Sequence, residues 1–169
     1  MSAAIEQFDQ IYTELFPRVH AYFSLCFGEH IADECTQQVF LKVWRQLSCT
    51  AWRAPDSIRA WVFRIAVNVK NDYWRTARAC PTAVPLEEAL DAPACGQEEA
   101  VLHTLSVVQA LEALTARDRD ILLLHAGGLT GAEIGRVLGK SDSTVRSQLA
   151  DARRRFRKLL EEQGVSVDE

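Results

Sequence analysis

Apolar residues recur along this chain at intervals of three and four, the period of a helix with one buried face. Phe8, Ile11, Tyr12, Leu15 and Phe16 make a first stripe, and Val19, Tyr22, Phe23 and Cys26 continue it beyond Pro17. Proline lacks a backbone donor, so the pattern predicts a kink or a restart at Pro17. Cys35, Val39, Val43 and Leu47 repeat at a spacing near four, widened by Phe40 and Trp44. A loop is expected from Ser48 to Ser57, broken by Pro55, with Asp56 or Ser57 capping the next helix. That helix carries Ile58, Trp61, Val62, Ile65, Val69 and Tyr73 on one side. No segment of useful length alternates at period two, so no strand is predicted.

The pattern lapses between residues 79 and 100. Pro81, Pro85 and Pro93 stand there among alanines and acidic residues, which reads as a linker with a short helical turn at Leu86–Leu90. Helical periodicity resumes near Val101 with Leu105, Val108, Leu111 and Leu114, and continues through Ile121, Leu122 and Leu124 to Ile134, Val137 and Leu138. The chain therefore reads as all-α. Two small helical domains, 1–79 and 101–164, are joined by a flexible linker, 80–100.

The end of the second domain carries a recognisable motif. Gly127-Gly128 stops one helix, and Thr130 and Glu133 form a capping box that opens the next. Gly139 ends this short helix in a position suited to left-handed backbone, and Ser141 or Asp142 caps another. Val145, Leu149, Ala152, Phe156 and Leu159 form its apolar stripe. Two helices joined by a short glycine turn predict a helix-turn-helix, whose second helix enters the major groove of DNA by its N-terminal end. Ser143, Thr144, Arg146, Ser147, Gln148 and Asp151 are the groove-facing candidates. Gln148 can pair with adenine and Asp151 can accept from cytosine. Arg153, Arg154, Arg155, Arg157 and Lys158 follow as candidate phosphate contacts.

Net charge changes this picture less than its distribution does. The total is -4, which by itself disfavours nucleic acid. From Arg136 to Lys158, however, eight basic residues face two acidic ones, whereas Pro85 to Ala100 holds five acidic residues and no basic one. With 48% hydrophobic and 25% charged residues the chain is ordinary for a globular protein. No run is long and apolar enough for a membrane span or a signal peptide, so a cytoplasmic protein without membrane insertion is expected. The five cysteines are odd in number and form no C-x-x-C pair, which suits free thiols. Cys26, His30 and Cys35 read as packing rather than a metal site, and no metal or cofactor is expected. There is no glycine-rich phosphate loop and no nucleophile motif, so enzymatic chemistry is not expected.

One further segment interleaves aromatic and basic residues on a helix: Ser57 to Arg78, SIRAWVFRIAVNVKNDYWRTAR. Basic side chains can track phosphates while aromatic faces stack on unpaired bases. Together with Asp33 to Trp44, DECTQQVFLKVW, and the helix-turn-helix, it resembles the extracytoplasmic-function sigma factors of bacterial RNA polymerase over nearly the whole chain. The resemblance implies a promoter-specificity subunit whose partners are the core polymerase, through its clamp helices and flap, promoter DNA, and an inhibitory anti-sigma factor. It assigns polymerase contact to Asp33, Glu34, Gln37, Gln38, Phe40, Leu41 and Trp44. It assigns the non-template strand of the minus-ten element to Asn68, Asn71 and Tyr73, with Lys70, Arg75 and Arg78 on phosphates and the loop Ser48 to Asp56 holding a flipped base. It gives the minus-thirty-five element to the helix-turn-helix, Arg154 included. Gln38 stands where a carboxylate is frequent in the family, and Gln148, Ala150 and Asp151 where basic or aromatic residues are frequent. The alternative is a stand-alone helix-turn-helix regulator that never engages polymerase.

Overall fold

The structure, a computed structural model, describes residues 2–49, 52–79 and 98–164. Among these are seven helices and no strand: α1 (Ser2–Phe27), α2 (Glu29–Leu47), α3 (Ile58–Ala79), α4 (Glu98–Ala113), α5 (Ala116–Ala126), α6 (Gly131–Leu138) and α7 (Asp142–Glu162). The helical turn expected at Leu86–Leu90 lies outside the described residues.

The first apolar stripe folds as one element. α1 runs through Pro17 without a restart, because Leu15 and Val19 on either side of it are both fully buried on the same face. Continuous packing outweighs the single missing hydrogen bond. Gly28 turns the chain directly into α2, and α1 and α2 form the most extensive helix pair. α3 closes this module with Val62, Phe63, Ala66 and Val69 buried between them. Ser57 is the cap of α3: its hydroxyl accepts from the Ala60 amide at 3.1 Å.

The second module is built on α7. α4, α5 and α6 all pack against it, burying Val145, Leu149, Ala152 and Leu160. Leu160, rather than Leu159, is the fully covered residue near its end. Thr115 caps α5 by accepting from the Asp118 amide at 3.2 Å. Asp118 itself is buried and receives Arg155 of α7 at 2.5 Å. A buried carboxylate needs such a partner, so this pair pins α5 to α7. The two modules touch along α3 and α6, and along α1 and α5.

Candidate nucleic-acid interface

The helix-turn-helix follows from local chemistry. Thr130 Oγ1 accepts from the Glu133 amide at 3.3 Å, and the Glu133 carboxylate accepts from the Thr130 amide at 2.8 Å. Both halves of the capping box are thus made. At the other end of α6, Gly139 adopts φ 68° and ψ 37°, and the Lys140 amide bonds back to the Gly135 carbonyl at 2.8 Å. A Cβ on Gly135 would stand 2.5 Å from the Lys140 carbonyl oxygen. The turn therefore closes tightly only because two glycines allow it. Ser141 caps α7, accepting from the Thr144 amide at 3.3 Å.

This geometry presents the first two turns of α7 to solvent. Ser143, Thr144, Arg146 and Ser147 are exposed, while Gln148 and Asp151 are half-buried. Several of these side chains are already engaged. Arg146 pairs with Asp142, and Arg154 donates to Asp151 at 3.1 Å. Lys140 Nζ donates to Gln148 Oε1 at 2.9 Å. That bond uses one of the two lone pairs of the amide oxygen that the expected adenine contact also calls on. The basic run is also divided. Arg155 is committed to Asp118, and Arg153 donates to His125 at 2.5 Å.

In the first module, Asn68, Asn71, Arg75 and Arg78 are exposed on α3, and Tyr73 is half-buried against Phe27 at 4.7 Å between ring centroids. Lys70 departs from this set. It is only 5% exposed, and its ammonium is paired with Asp120 of α5. In this arrangement it faces the second module instead of solvent. The loop before α3 is tacked down by Trp52, which lies 6.0 Å from Trp61. Trp61 Nε1 in turn donates to Gln46 at 3.1 Å. A cavity of about 180 Å³ opens beside the loop between Pro55, Asp56, Trp61, Arg64 and, from α6, Arg136 and Val137.

On α2, Asp33, Glu34, Gln37, Gln38 and Leu41 line an exposed face, with Leu41 55% exposed. Asp33 accepts from His20 at 2.8 Å. Trp44 is half-buried against Phe8 at 5.4 Å. Phe40 is placed elsewhere: it is 3% exposed and packs among Phe8, Tyr12 and Phe16. It supports the exposed face from beneath and does not belong to it. The pairings of Lys70 with Asp120, of Arg155 with Asp118 and of Ser57 with Glu133 had no signal in the local pattern. Each joins residues at least 37 positions apart.

Burial pushes the Cys26 thiol up to about 12 and the Cys35 thiol up to about 11. Both are protonated at neutral pH and poor nucleophiles. The described residues contain no grouping of three or more possible metal ligands. No helix among them is long and apolar enough to cross a membrane.

Comparison with known proteins agrees with both modules. Residues 11–80 match the family model for sigma-70 region 2, and residues 104–156 that for sigma-70 region 4. The region 2 match disfavours a stand-alone helix-turn-helix regulator. The ECF RNA polymerase sigma factor SigM of Mycobacterium tuberculosis is 30% identical over 155 residues, covering 90% of this chain and 76% of SigM. The ECF sigma factor SigK of Mycobacterium bovis is 28% identical over 140 residues, covering 77% of this chain and 72% of SigK. Among solved structures, the sigma factor RpoE in complex with the anti-sigma factor NepR from Bartonella quintana shares the fold. Its TM-score is 0.73 at 21% identity, over 92% of this chain and 98% of that one. CnrH in complex with the cytosolic domain of CnrY gives a TM-score of 0.69 at 25% identity, over 92% and 88%. Two helical modules in this order, matched over 90% of the chain by a relative of this kind, place the chain in the ECF sigma factors, the RNA polymerase subunits that direct promoter-specific transcription initiation.

Proposed function

We propose that this sigma factor grips the core polymerase clamp through the exposed face of α2, with Asp33, Glu34, Gln37, Gln38 and Leu41 in contact and Trp44 at the margin. The α6–α7 module engages the polymerase flap and reads the minus-thirty-five element through Ser143, Thr144, Arg146, Ser147 and Gln148. Asn68, Asn71 and Tyr73 read the minus-ten element, with Arg75 and Arg78 on phosphates. The observation that carries this reading is the exposed row of Asn68, Asn71, Arg75 and Arg78 along one helix of the first module. Amide side chains can read bases while the flanking guanidinium groups hold the backbone. Each module alone would bind weakly, and tethering both to one promoter raises the affinity through effective concentration.

An inhibitory protein is part of the proposal. The similar RpoE and CnrH are each seen with a bound partner, NepR and CnrY. This chain is held inactive in the same way, by an anti-sigma factor that engages both modules in the cytoplasm.

Transcription in vitro with a bacterial core polymerase and a promoter library tests the function. Initiation should depend on this protein and select a common pair of upstream elements. Random start sites with every core enzyme tried would overturn the reading.

A further inference from the structure

The polymerase face read on α2 begins at Asp33, and the side chain that holds Asp33 comes from another helix. His20 of α1 places Nε2 at 2.8 Å from Asp33 Oδ1. An ionised carboxylate only accepts, so the ring carries a hydrogen on that nitrogen. Glu29 stands 3.8 Å from the same nitrogen, beyond hydrogen-bond distance, which leaves Asp33 as the acceptor.

Of the two side chains, His20 is the fixed one. Its ring stacks on Phe16, with 5.9 Å between centroids and 20° between planes. Ser24, one turn further along α1, flanks the other ring nitrogen: its Oγ lies 3.4 Å from Nδ1 and donates to the His20 carbonyl at 3.0 Å. The His20 side chain is 23% exposed and that of Asp33 68%. A packed donor that meets a solvated carboxylate restricts the carboxylate more than it is itself restricted. The pair is not needed to hold α1 on α2. Those helices already make the most extensive helix contact, with Val19, Phe23, Ala32 and Val39 fully buried. A pair this open to water adds little to stability. What it changes is the carboxylate: Oδ1 is occupied, and Oδ2 remains for a donor of the partner.

We propose that His20 is a positioning residue for the polymerase contact: it holds the Asp33 carboxylate in the orientation that the clamp receives, without touching the polymerase itself. This rests on the reading of the α2 face as the clamp contact. Fixing a side chain before association removes an ordering cost, worth about twofold to tenfold in affinity.

Binding of the full-length protein to bacterial core polymerase tests this with His20→Phe, His20→Gln, Asp33→Ala and the double variant His20→Phe/Asp33→Ala. Phenylalanine keeps the stack on Phe16 and loses the donor, whereas glutamine keeps an N–H near the place of Nε2. His20→Phe should weaken binding about threefold or more with Tm unchanged, and His20→Gln should stay within about twofold of wild type. In the Asp33→Ala background His20→Phe should have no further effect, because the two residues act as one unit. Unchanged affinity in His20→Phe, or an equal loss in His20→Gln, would overturn the positioning role. A loss that persists in full without Asp33 would overturn it too, since His20 would then act by itself. If Leu41→Asp weakens binding but Asp33→Ala does not, the face stands and the role of His20 falls. If neither has any effect, the reading of α2 as the clamp contact is itself overturned.

Discussion

Neighbouring residues in a helix point about 100° apart, and Phe40 and Leu41 show the consequence. Phe40 fills the aromatic cluster of α1 and α2, whereas Leu41 stands 55% exposed. Phe40→Ala is expected to cost about 3–5 kcal/mol in urea unfolding, as for other buried aromatic truncations. Leu41→Asp is expected to leave the urea midpoint nearly unchanged while weakening core-polymerase binding roughly thirtyfold, the scale of an interface hot spot. Comparable destabilisation by both would refute the division between support and contact. A second residue-scale prediction concerns Gln148. Lysine has only donors, so Lys140 occupies one of the two lone pairs of the Gln148 amide oxygen and competes with a base donor for it, while this bond leaves the NH2 unused. An amide whose oxygen is partly engaged suits the acceptors of guanine or thymine better than the donor-acceptor pair of adenine. In promoter-library selection, Lys140→Ala should shift one position of the minus-thirty-five element toward adenine. An identical preference with and without Lys140 would show that the bond does not govern readout.

At the scale of elements, the short helix α6 depends most on its ends. It has eight residues, too few to hold a helix by propensity alone. The capping box and the glycine turn compensate for that shortness. Thr130→Ala should cost about 1 kcal/mol in chemical denaturation, with a parallel loss of minus-thirty-five binding. Glu133 serves two helices at once, because its second oxygen accepts from Ser57, the cap of α3. Burial pushes the Glu133 carboxyl up, but the bonds from Ser57 and Thr130 and the nearby Arg59 charge together leave it below its ordinary value. A depressed carboxyl contributes stability that is present above its unfolded value near 4.5 and is lost as pH falls through the folded one. Thermal unfolding followed from pH 7 downward should therefore show this group's stabilising contribution constant until the pH nears 4.5 and lost progressively below it. Glu133→Gln should flatten that acid limb; an acid limb identical to wild type would exclude Glu133 as its source.

At the scale of the whole molecule, the relation between modules sets which side chains are available. Cys26 lines a cleft between α3 and α5 beside the Lys70–Asp120 pair, whereas Cys35 lies in the core of the first module. Alkylation at pH 8, mapped by mass spectrometry, should modify the exposed Cys49 well before the half-buried Cys26 or the buried Cys35. In the Asp120→Asn variant, which weakens that pair, Cys26 should become more reactive while Cys35 stays protected. Equal protection of Cys26 in both proteins would show that the pair does not hold the cleft closed over it.

The sequence alone determined a good deal of this protein. Period-three-and-four stripes located the helices, because burial of one face is written into local spacing. Thr130, Glu133, Gly139 and Ser141 located the helix-turn-helix, because caps and turns are satisfied within four residues. The interleaved segment from Ser57 to Arg78 identified the family. Of the two outcomes expected at Pro17, a kink or a restart, the restart does not occur, since a local donor count cannot register the packing of Leu15 and Val19 on both sides of it. The burial of Phe40 in the aromatic cluster and the pairing of Lys70 with Asp120 were not legible for a related reason: residue type and position in a motif describe what a side chain can do, not what stands over it. Only the tertiary structure decided that Lys70 meets Asp120, that Arg155 anchors Asp118, and that Ser57 reaches Glu133. These partners lie dozens of residues apart in the chain, so no local pattern could have paired them; their pairing depends on where the folded helices meet.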